Sequence, residues 1–333
     1  MTVNLLNGSM HALPTRSTAP RRSGWKNYAA GRSFYASSTV SFGLDLPIFE
    51  ETTFALGKDG HTMKKKTGNI ARTMYASIKN RHERPSEHAS HLRCEASMVV
   101  ASYNVHKCVG TDGRFDPDRI IEVIREIDPD VIALQEADER FGERSGLLDL
   151  PRLRLETGLM HIPVLHKPKS HGWRGNVLLF KQGIVRDVHQ VALPGLEPRG
   201  AVVAEIDLEQ GPGFRVIAAH LGLLRWARRQ QADVIIDIMG GREERPTVLM
   251  GDFNEWRLGQ GSSLVRFEKV FGPLPPPLPS YPARLPVLSL DRIMANRAGL
   301  IAGMAVHDSL LAREASDHLP ITARIDLSPD ILG

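Results

Sequence analysis

Apolar positions are scattered without period over the first 97 residues and become dense and ordered after them. In the first stretch Ser, Thr, Gly, Arg and Lys dominate, and Lys64, Lys65 and Lys66 form a short charge run. From Met98 the texture changes. Met98, Val99, Val100, Ala101, Ser102 and Tyr103 predict a buried strand. Asp116 and Pro117 then offer an N-cap with Pro at the first helical position. Ile120, Ile121, Ile124 and Ile127 follow at helical spacing, and Asp128-Pro129 stops the helix. Val131, Ile132, Ala133 and Leu134 form a second apolar run, and strand, helix, strand in this order argues for an α/β domain.

The same reading predicts strands over residues 176–180, 184–193, 200–208 and 214–219, the last two joined through Gly211-Pro212-Gly213 as a hairpin. A helix is expected over 224–239, ended by Gly240-Gly241, and a buried strand over 247–250. Residues 271–286 are Pro-rich and read as an extended loop, and strands over 288–295 and 319–325 close the chain. No internal repeat is present. The expected organisation is a basic, low-order extension over residues 1–97, a domain over 98–326 and a tail over 327–333.

A hydrophobic share of 42% in 333 residues excludes disorder from end to end. No stretch approaches 18 uncharged apolar residues, so no integral membrane segment is expected. Two cysteines, Cys94 and Cys108, exclude a disulfide scaffold. The net charge of +4 hides an asymmetry: residues 1–97 carry +7, and the remainder carries −3. Basicity therefore belongs to the extension, read as a solvated arm or as residues upstream of a true start at Met98. The absence of Asp and Glu before Asp45, with many Arg and Ser, is also how an organelle transit segment reads. A cytoplasmic location is expected, and no obligate protein partner is evident.

Polar residues recur at the ends of the apolar runs. Asn104 and His106 follow the first strand, Gln135 and Glu136 the second, and His220 the run over 214–219. Asp252 and Asn254 follow the strand at 247, Asp291 follows Leu290, and Asp317-His318 precedes Leu319-Pro320. Strand ends are where rigid elements present side chains to a shared cleft. Carboxylates, amides and two histidines without a Cys cluster suit a hard cation such as Mg²⁺ or Mn²⁺. They also supply what hydrolysis of a phosphate ester needs: charge neutralisation, a base for water and help for the leaving oxygen.

Tyr103-Asn104-Val105-His106, Leu134-Gln135-Glu136, Ala219-His220-Leu221, Gly251-Asp252-Phe253-Asn254, Leu290-Asp291-Arg292-Ile293 and Ser316-Asp317-His318-Leu319-Pro320 occur in one order over one domain-sized span. In this the chain resembles the endonuclease/exonuclease/phosphatase family, which includes DNase I-like nucleases, AP endonucleases, neutral sphingomyelinases and inositol polyphosphate 5-phosphatases. The resemblance implies a four-layered α/β sandwich, two mixed sheets packed face to face with helices outside. It implies that Glu136 is the principal metal ligand, with Asn104 and Asp317 on the metal side. Asp252 would orient or activate the attacking water, Asn254 would hold a phosphate oxygen, and His318 would act as base or phosphate-stabilising group, oriented by Asp291. His220 would be an acid for the leaving group. Arg174-Gly175-Asn176 resembles the start of the family's central strand and places Arg174 and Asn176 on the substrate side. The expected cofactor is Mg²⁺, with Mn²⁺ as a substitute.

The expected activity is hydrolysis of a phosphodiester by in-line attack of water, on a lipid headgroup, a small molecule or a nucleic acid. A DNase I-like endonuclease and a non-catalytic binding module on the same fold are the alternatives. The acidic body weighs against non-specific DNA affinity, which rests on Lys and Arg contacts to phosphates. The His220 motif stands where the AP endonuclease branch has a Tyr region. Each polar residue also has a bland reading as turn, cap or surface charge, and the six places together are what oppose it. For His106, His161, His166, His171, His189 and His307 the bland reading stays ahead. Arg225, Arg228 and Arg229 read as a solvated helix face, and Cys108 as a plain thiol.

Overall fold

The computed structural model describes residues 97–164, 168–207 and 213–328. The basic extension up to residue 96, His166, the Gly211-Pro212-Gly213 turn up to Pro212 and the end of the C-terminal tail lie outside the described residues. Strand β1 (Ser97–Asn104) leads through a turn at His106–Cys108 to helix α1 (Pro117–Ile127) and strand β2 (Val131–Gln135). Helix α1 starts as its sequence dictates. Asp116 accepts from the Arg119 amide at 3.2 Å with Pro117 at the first turn, and Asp128 ends the helix in the left-handed conformation. Then come α2 (Leu150–Thr157), β3 (Met160–His161), β4 (Val177–Phe180), β5 (Ile184–Ala192), β6 (Gly200–Asp207) and β7 (Phe214–His220). Helix α3 (Arg225–Gly240), β8 (Thr247–Asp252), the short α4 (Glu268–Phe271), β9 (Asp291–Ala295), β10 (Ile301–Val306), α5 (Leu310–Ala315) and β11 (Ile321–Asp326) complete the order.

The strands form two mixed sheets, ordered β10-β11-β1-β2-β4-β3 and β5-β6-β7-β8-β9. Their central strands are apolar on both faces, which explains the continuous rather than alternating runs in the sequence. In β1, Ala101 and Tyr103 pack with Ile120, Ile124 and Leu153 of the helices, while Met98 and Val100 face the other way. In β7, Val216 and Ala218 share that second cluster with Val100, and so do Val248 and Met250 of β8. A third cluster joins Ile217 and Leu249 to Ala232 and Ile235 of α3 and to Phe267 and Phe271. The three apolar seams separate four layers, helix, sheet, sheet, helix, and this is the expected sandwich.

Two parallel pairs decide where the chemistry falls. β1 pairs with β2 across α1, and β7 pairs with β8 across α3. Each crossover leaves both strand ends on one edge, so Asn104 stands opposite Gln135, and His220 opposite Asp252. The antiparallel β9 begins where β8 ends and sets Asp291 against Asp252. β11 starts beside Ser102, which carries the preceding Asp317-His318 to the same edge.

The sequence reading missed α2, β3, α4, β10 and α5. The expected strand at 288 begins only at Asp291, the one at 319 only at Ile321, and the one at 247 runs on to Asp252. The expected solvated face of α3 is also corrected. Arg228 is buried, with Nη2 3.1 Å from Glu255 Oε2 and Nε 3.1 Å from Ser263 Oγ, and it donates to the carbonyls of Gly222 and Leu223. Arg225 is half-buried, and Arg229 is exposed as expected. The guanidinium of Arg228 thus ties the loop after β7 to the loop after β8 from behind.

Candidate active site

Asp252 is the hub of the edge. Its Oδ2 accepts from Asn104 Nδ2 at 2.9 Å and lies 3.4 Å from His220 Nε2 and 3.9 Å from His318 Nε2. Its Oδ1 accepts the Asn254 amide at 2.9 Å, so the Asx-turn and the site geometry are one arrangement. Gly251 makes this possible. It has φ +152° and a Cβ there would fall 1.7 Å from the Ala219 carbonyl oxygen, so only Gly lets β8 lie this close to β7.

His318 Nδ1 donates to Asp291 Oδ2 at 2.9 Å, and Ser280 Oγ donates to the same oxygen at 2.5 Å. Tyr281 packs its ring 4.9 Å from the imidazole. Burial opposes charge on His318, but Asp291, Asp252 and Asp317 outweigh it and push the pKa up to about 10. Near neutral pH the ring is an imidazolium, Nδ1–H held by Asp291 and Nε2–H directed toward Asp252.

His220 takes the opposite state. Arg199 Nη1 lies 2.8 Å from its Nδ1 and 2.5 Å from its Nε2, and a guanidinium can only donate, so the ring must offer a lone pair. Burial and the Arg199 charge outweigh Asp252 and Glu136, and the pKa falls to about 4. Asn254 Nδ2 lies 3.3 Å from His220 Nε2 and donates to the Leu221 carbonyl at 3.0 Å.

Glu136 faces the open side of the same edge, with its carboxylate 2.8 Å from Lys107 Nζ. Burial opposes its ionisation, but His220, Lys107 and Arg199 outweigh this and bring the pKa to about 2. Non-glycine residues in the left-handed region gather here: Lys107 at φ 55°, Glu136 at 55°, Arg174 at 51° and Asn254 at 50°. Such backbone costs of order 1–3 kcal/mol per residue and persists where the surroundings enforce it, as functional sites do.

The donor set fits a hard divalent ion. Asp317 Oδ1 and Asp291 Oδ1 are buried without a hydrogen-bond partner, an expensive state that a bound cation would relieve. Asp252, Asp291 and His318 bring ligand atoms within 4.8 Å of one another, although their hydrogen bonds already account for much of that closeness. Glu136 is neutralised by one Lys on a flexible stem, which can yield to an ion. Asn104 spends Nδ2 on Asp252 and accepts the His106 amide on Oδ1 at 3.0 Å.

The eight residues Asn104, Glu136, His220, Asp252, Asn254, Asp291, Asp317 and His318 therefore meet at one edge. Arg174 lines the cleft beside Glu136. Asn176 does not face the opening. It is fully buried and donates to the carbonyls of Trp173 and Gly200, 3.1 Å each, pinning the turn that carries Arg174. Sequence reasoning missed Lys107, Arg199 and Ser280. The available signal for Arg199 was its place just before Gly200, the first residue of β6, as Arg174-Gly175 stands just before β4.

Two facing sheets with imidazoles, carboxylates and amides collected at the ends of β1, β2, β7 and β8 define a DNase I-like hydrolase architecture for phosphate esters. The chain belongs to the endonuclease/exonuclease/phosphatase family, whose model matches residues 101–318. It is 25% identical over 256 residues to the uncharacterized protein YbhP of Escherichia coli (strain K12), covering 69% of this chain and 97% of that one. An endonuclease/exonuclease/phosphatase from Beutenbergia cavernae DSM 12333 superimposes with a TM-score of 0.55 at 22% identity, covering 70% of this chain and 72% of that one. A mannosyl-6-phosphatase from Bacteroides thetaiotaomicron VPI-5482 gives 0.50 at 18% identity, covering 68% and 98%. These likenesses in structure speak to the fold. Among the described residues no helix is long and apolar enough to cross a membrane.

Proposed function

We propose that this protein is a Mg²⁺-dependent phosphodiesterase in which water attacks the phosphorus in line with the leaving oxygen. The observation that carries the reading is the Asp252 carboxylate, shared by Asn104, His220 and His318 within 2.9–3.9 Å. Glu136, Asn104 and Asp317 would hold the ion, which when bound would neutralise charge on the phosphate oxygens. Asp252, fixed on both oxygens, orients the water and takes its proton. His318, kept charged by Asp291, donates from Nε2 to a phosphate oxygen and stabilises the charge that develops there. Neutral His220 and Asn254 sit together beside Asp252, where they can hold the leaving oxygen.

The test is hydrolysis of bis-p-nitrophenyl phosphate by the purified full chain with Mg²⁺ and with chelator, beside plasmid DNA, an abasic oligonucleotide, sphingomyelin and phosphoinositides. Glu136→Ala, Asp252→Ala and His318→Ala should each lower turnover by orders of magnitude with the fold intact by circular dichroism. Turnover near that of the parent in all three would reject the assignment. Cleavage of the DNA substrates alone would make the enzyme a nuclease.

A further inference from the structure

We infer that the arginine pocket beside Glu136 binds a second phosphate group of the substrate, adjacent to the phosphate that is cleaved. Lys107, Arg140, Arg144, Arg174 and Arg199 converge on one cleft whose acidic residues are Glu136 and Asp138. This stands out in a body that is net acidic after residue 97. Most of the charge is locally answered. Lys107 pairs with Glu136, Arg144 grips Asp138 with Nε and Nη2 at 2.8 and 2.9 Å, and Arg199 pairs with Glu197 at 2.6 Å. Arg140 and Arg174 are different. Among the described residues no carboxylate stands within ion-pair distance of either.

Arg174 is held in place without being neutralised. Its Nη1 donates to the Arg199 carbonyl at 2.7 Å, and its guanidinium lies 5.2 Å from the centre of the Trp173 ring. Its backbone sits at φ 51°, followed by Gly175 at 87°, where a Cβ would come within 3.4 Å of the Glu136 backbone. A strained turn, pinned from behind by buried Asn176, therefore holds this cation in the cleft that Glu136 also lines. Arg140 stands exposed at the rim beside Phe141, 5.8 Å from its ring. Arg140, Arg144 and Arg174 line one cleft, and like charges gathered in one cleft repel each other unless an anion joins them. A planar guanidinium pair answers phosphate with paired hydrogen bonds. The pocket includes Glu136 and His220, so an anion in it lies next to the reacting phosphate and not at a remote site.

The inference rests on the phosphoesterase reading only for the identity of the neighbouring group, and binding tests it independently of turnover. The full chain is titrated with inorganic phosphate in chelator, without divalent ion, and binding is followed by calorimetry. One saturable site is expected. Arg140→Ala and Arg174→Ala should each weaken it about 10-fold, the loss of one charge-assisted contact, while Asp252→Asn should leave it in place. No saturable binding, or binding that survives both arginine variants, would overturn the inference whatever the turnover of bis-p-nitrophenyl phosphate. That substrate carries a single phosphate and reports on the catalytic reading alone. Two substrate pairs then locate the second phosphate: glycerophosphoinositol with and without a 4-phosphate, and dithymidylate with and without a 5′-phosphate. A higher kcat/KM for the phosphorylated member of one pair, reduced in Arg140→Ala, identifies the scaffold, and no gain in either pair counts against the inference.

Discussion

The Asp252 cluster and the Glu136 pocket share one edge of the sandwich but handle charge in opposite ways. Around Asp252 the histidines and the carboxylate are buried and each is held by a fixed neighbour: Asp291 under His318, Asn104 and the Asn254 amide on the carboxylate, Arg199 against His220. Around Glu136 the groups are half-exposed, and cations outnumber anions. The difference follows from where each sits. The cluster lies at the ends of central strands with a sheet on either side. The pocket is built from the turns after β1 and β2 and before β4 and β6, where solvent can offset unpaired charge until a ligand arrives. Rigid, preorganised dipoles suit the reacting atoms, whereas an open cationic rim suits capture of an anion.

The largest effect expected from this contrast is catalytic. Asp252→Ala should reduce turnover of bis-p-nitrophenyl phosphate by at least the ~10²–10⁴ typical of a lost acid–base group. Steady-state rates at saturating Mg²⁺ check this, and a loss below about 10-fold would remove Asp252 from its central place. Stability should divide along the same line. Arg228→Ala removes the buried ion-pair partner of the fully buried Glu255 carboxylate, which keeps only the exposed Arg257 at 3.5 Å, a change that costs roughly 3–5 kcal/mol. Arg140→Ala at the exposed rim should fall within about 0.5 kcal/mol of the parent. Urea denaturation of the two variants measures both, and equal midpoints would contradict the division.

The two histidines predict opposite pH dependences in protein kept free of divalent ions. His220 has its pKa depressed to about 4, so between its unfolded value near 6.5 and about 4 the unfolded chain takes up the proton first. Its contribution to stability is present above pH 6.5 and is lost as the pH falls through 4. His318 is raised to about 10, so its contribution is complete below pH 6.5 and is lost as the pH rises through 10. Thermal unfolding midpoints of the parent should therefore decline toward both ends. His220→Asn should flatten the acid limb and His318→Gln the alkaline one, and unchanged limbs in these variants would show that other groups set the profile. The smallest effect concerns Cys108, one residue from Lys107. Burial pushes its thiol up to about 12, so iodoacetamide at pH 8 should label it only at the rate of unfolding. Rapid labelling in the folded protein would show that the turn beneath the pocket opens readily.

Much of this arrangement was legible beforehand, and the reason lies in strand geometry. A parallel crossover leaves both strand ends on one side, so Asn104, Glu136, His220 and Asp252 each announced a place on a common edge through the apolar run before it. Helix α1 was legible because its cap, its proline and its isoleucine spacing all lie within a dozen residues. β10 was not, since Ile301-Ala302-Gly303-Met304 is small-residued, with Ala302 and Gly303 both exposed and no position fully buried, and it is held in the sheet by pairing with β11. The reading of Arg228 as solvated failed for a related reason. Its partners Glu255 and Ser263 lie 27 and 35 residues away, and nothing local marks an arginine for burial.

The sequence by itself determined an α/β domain and the kinds of chemical group at its strand ends, because both depend on short-range pattern: which runs can be buried on two faces, and which polar residues end them; the four-layered sandwich was implied by the family resemblance of its motifs. The tertiary structure alone decided the states of those groups. Whether a histidine carries a proton, whether a carboxylate is held by a lysine, and whether an arginine is paired or left to meet an anion depend on distances between residues far apart in the chain, and those exist only once the two sheets have closed on each other.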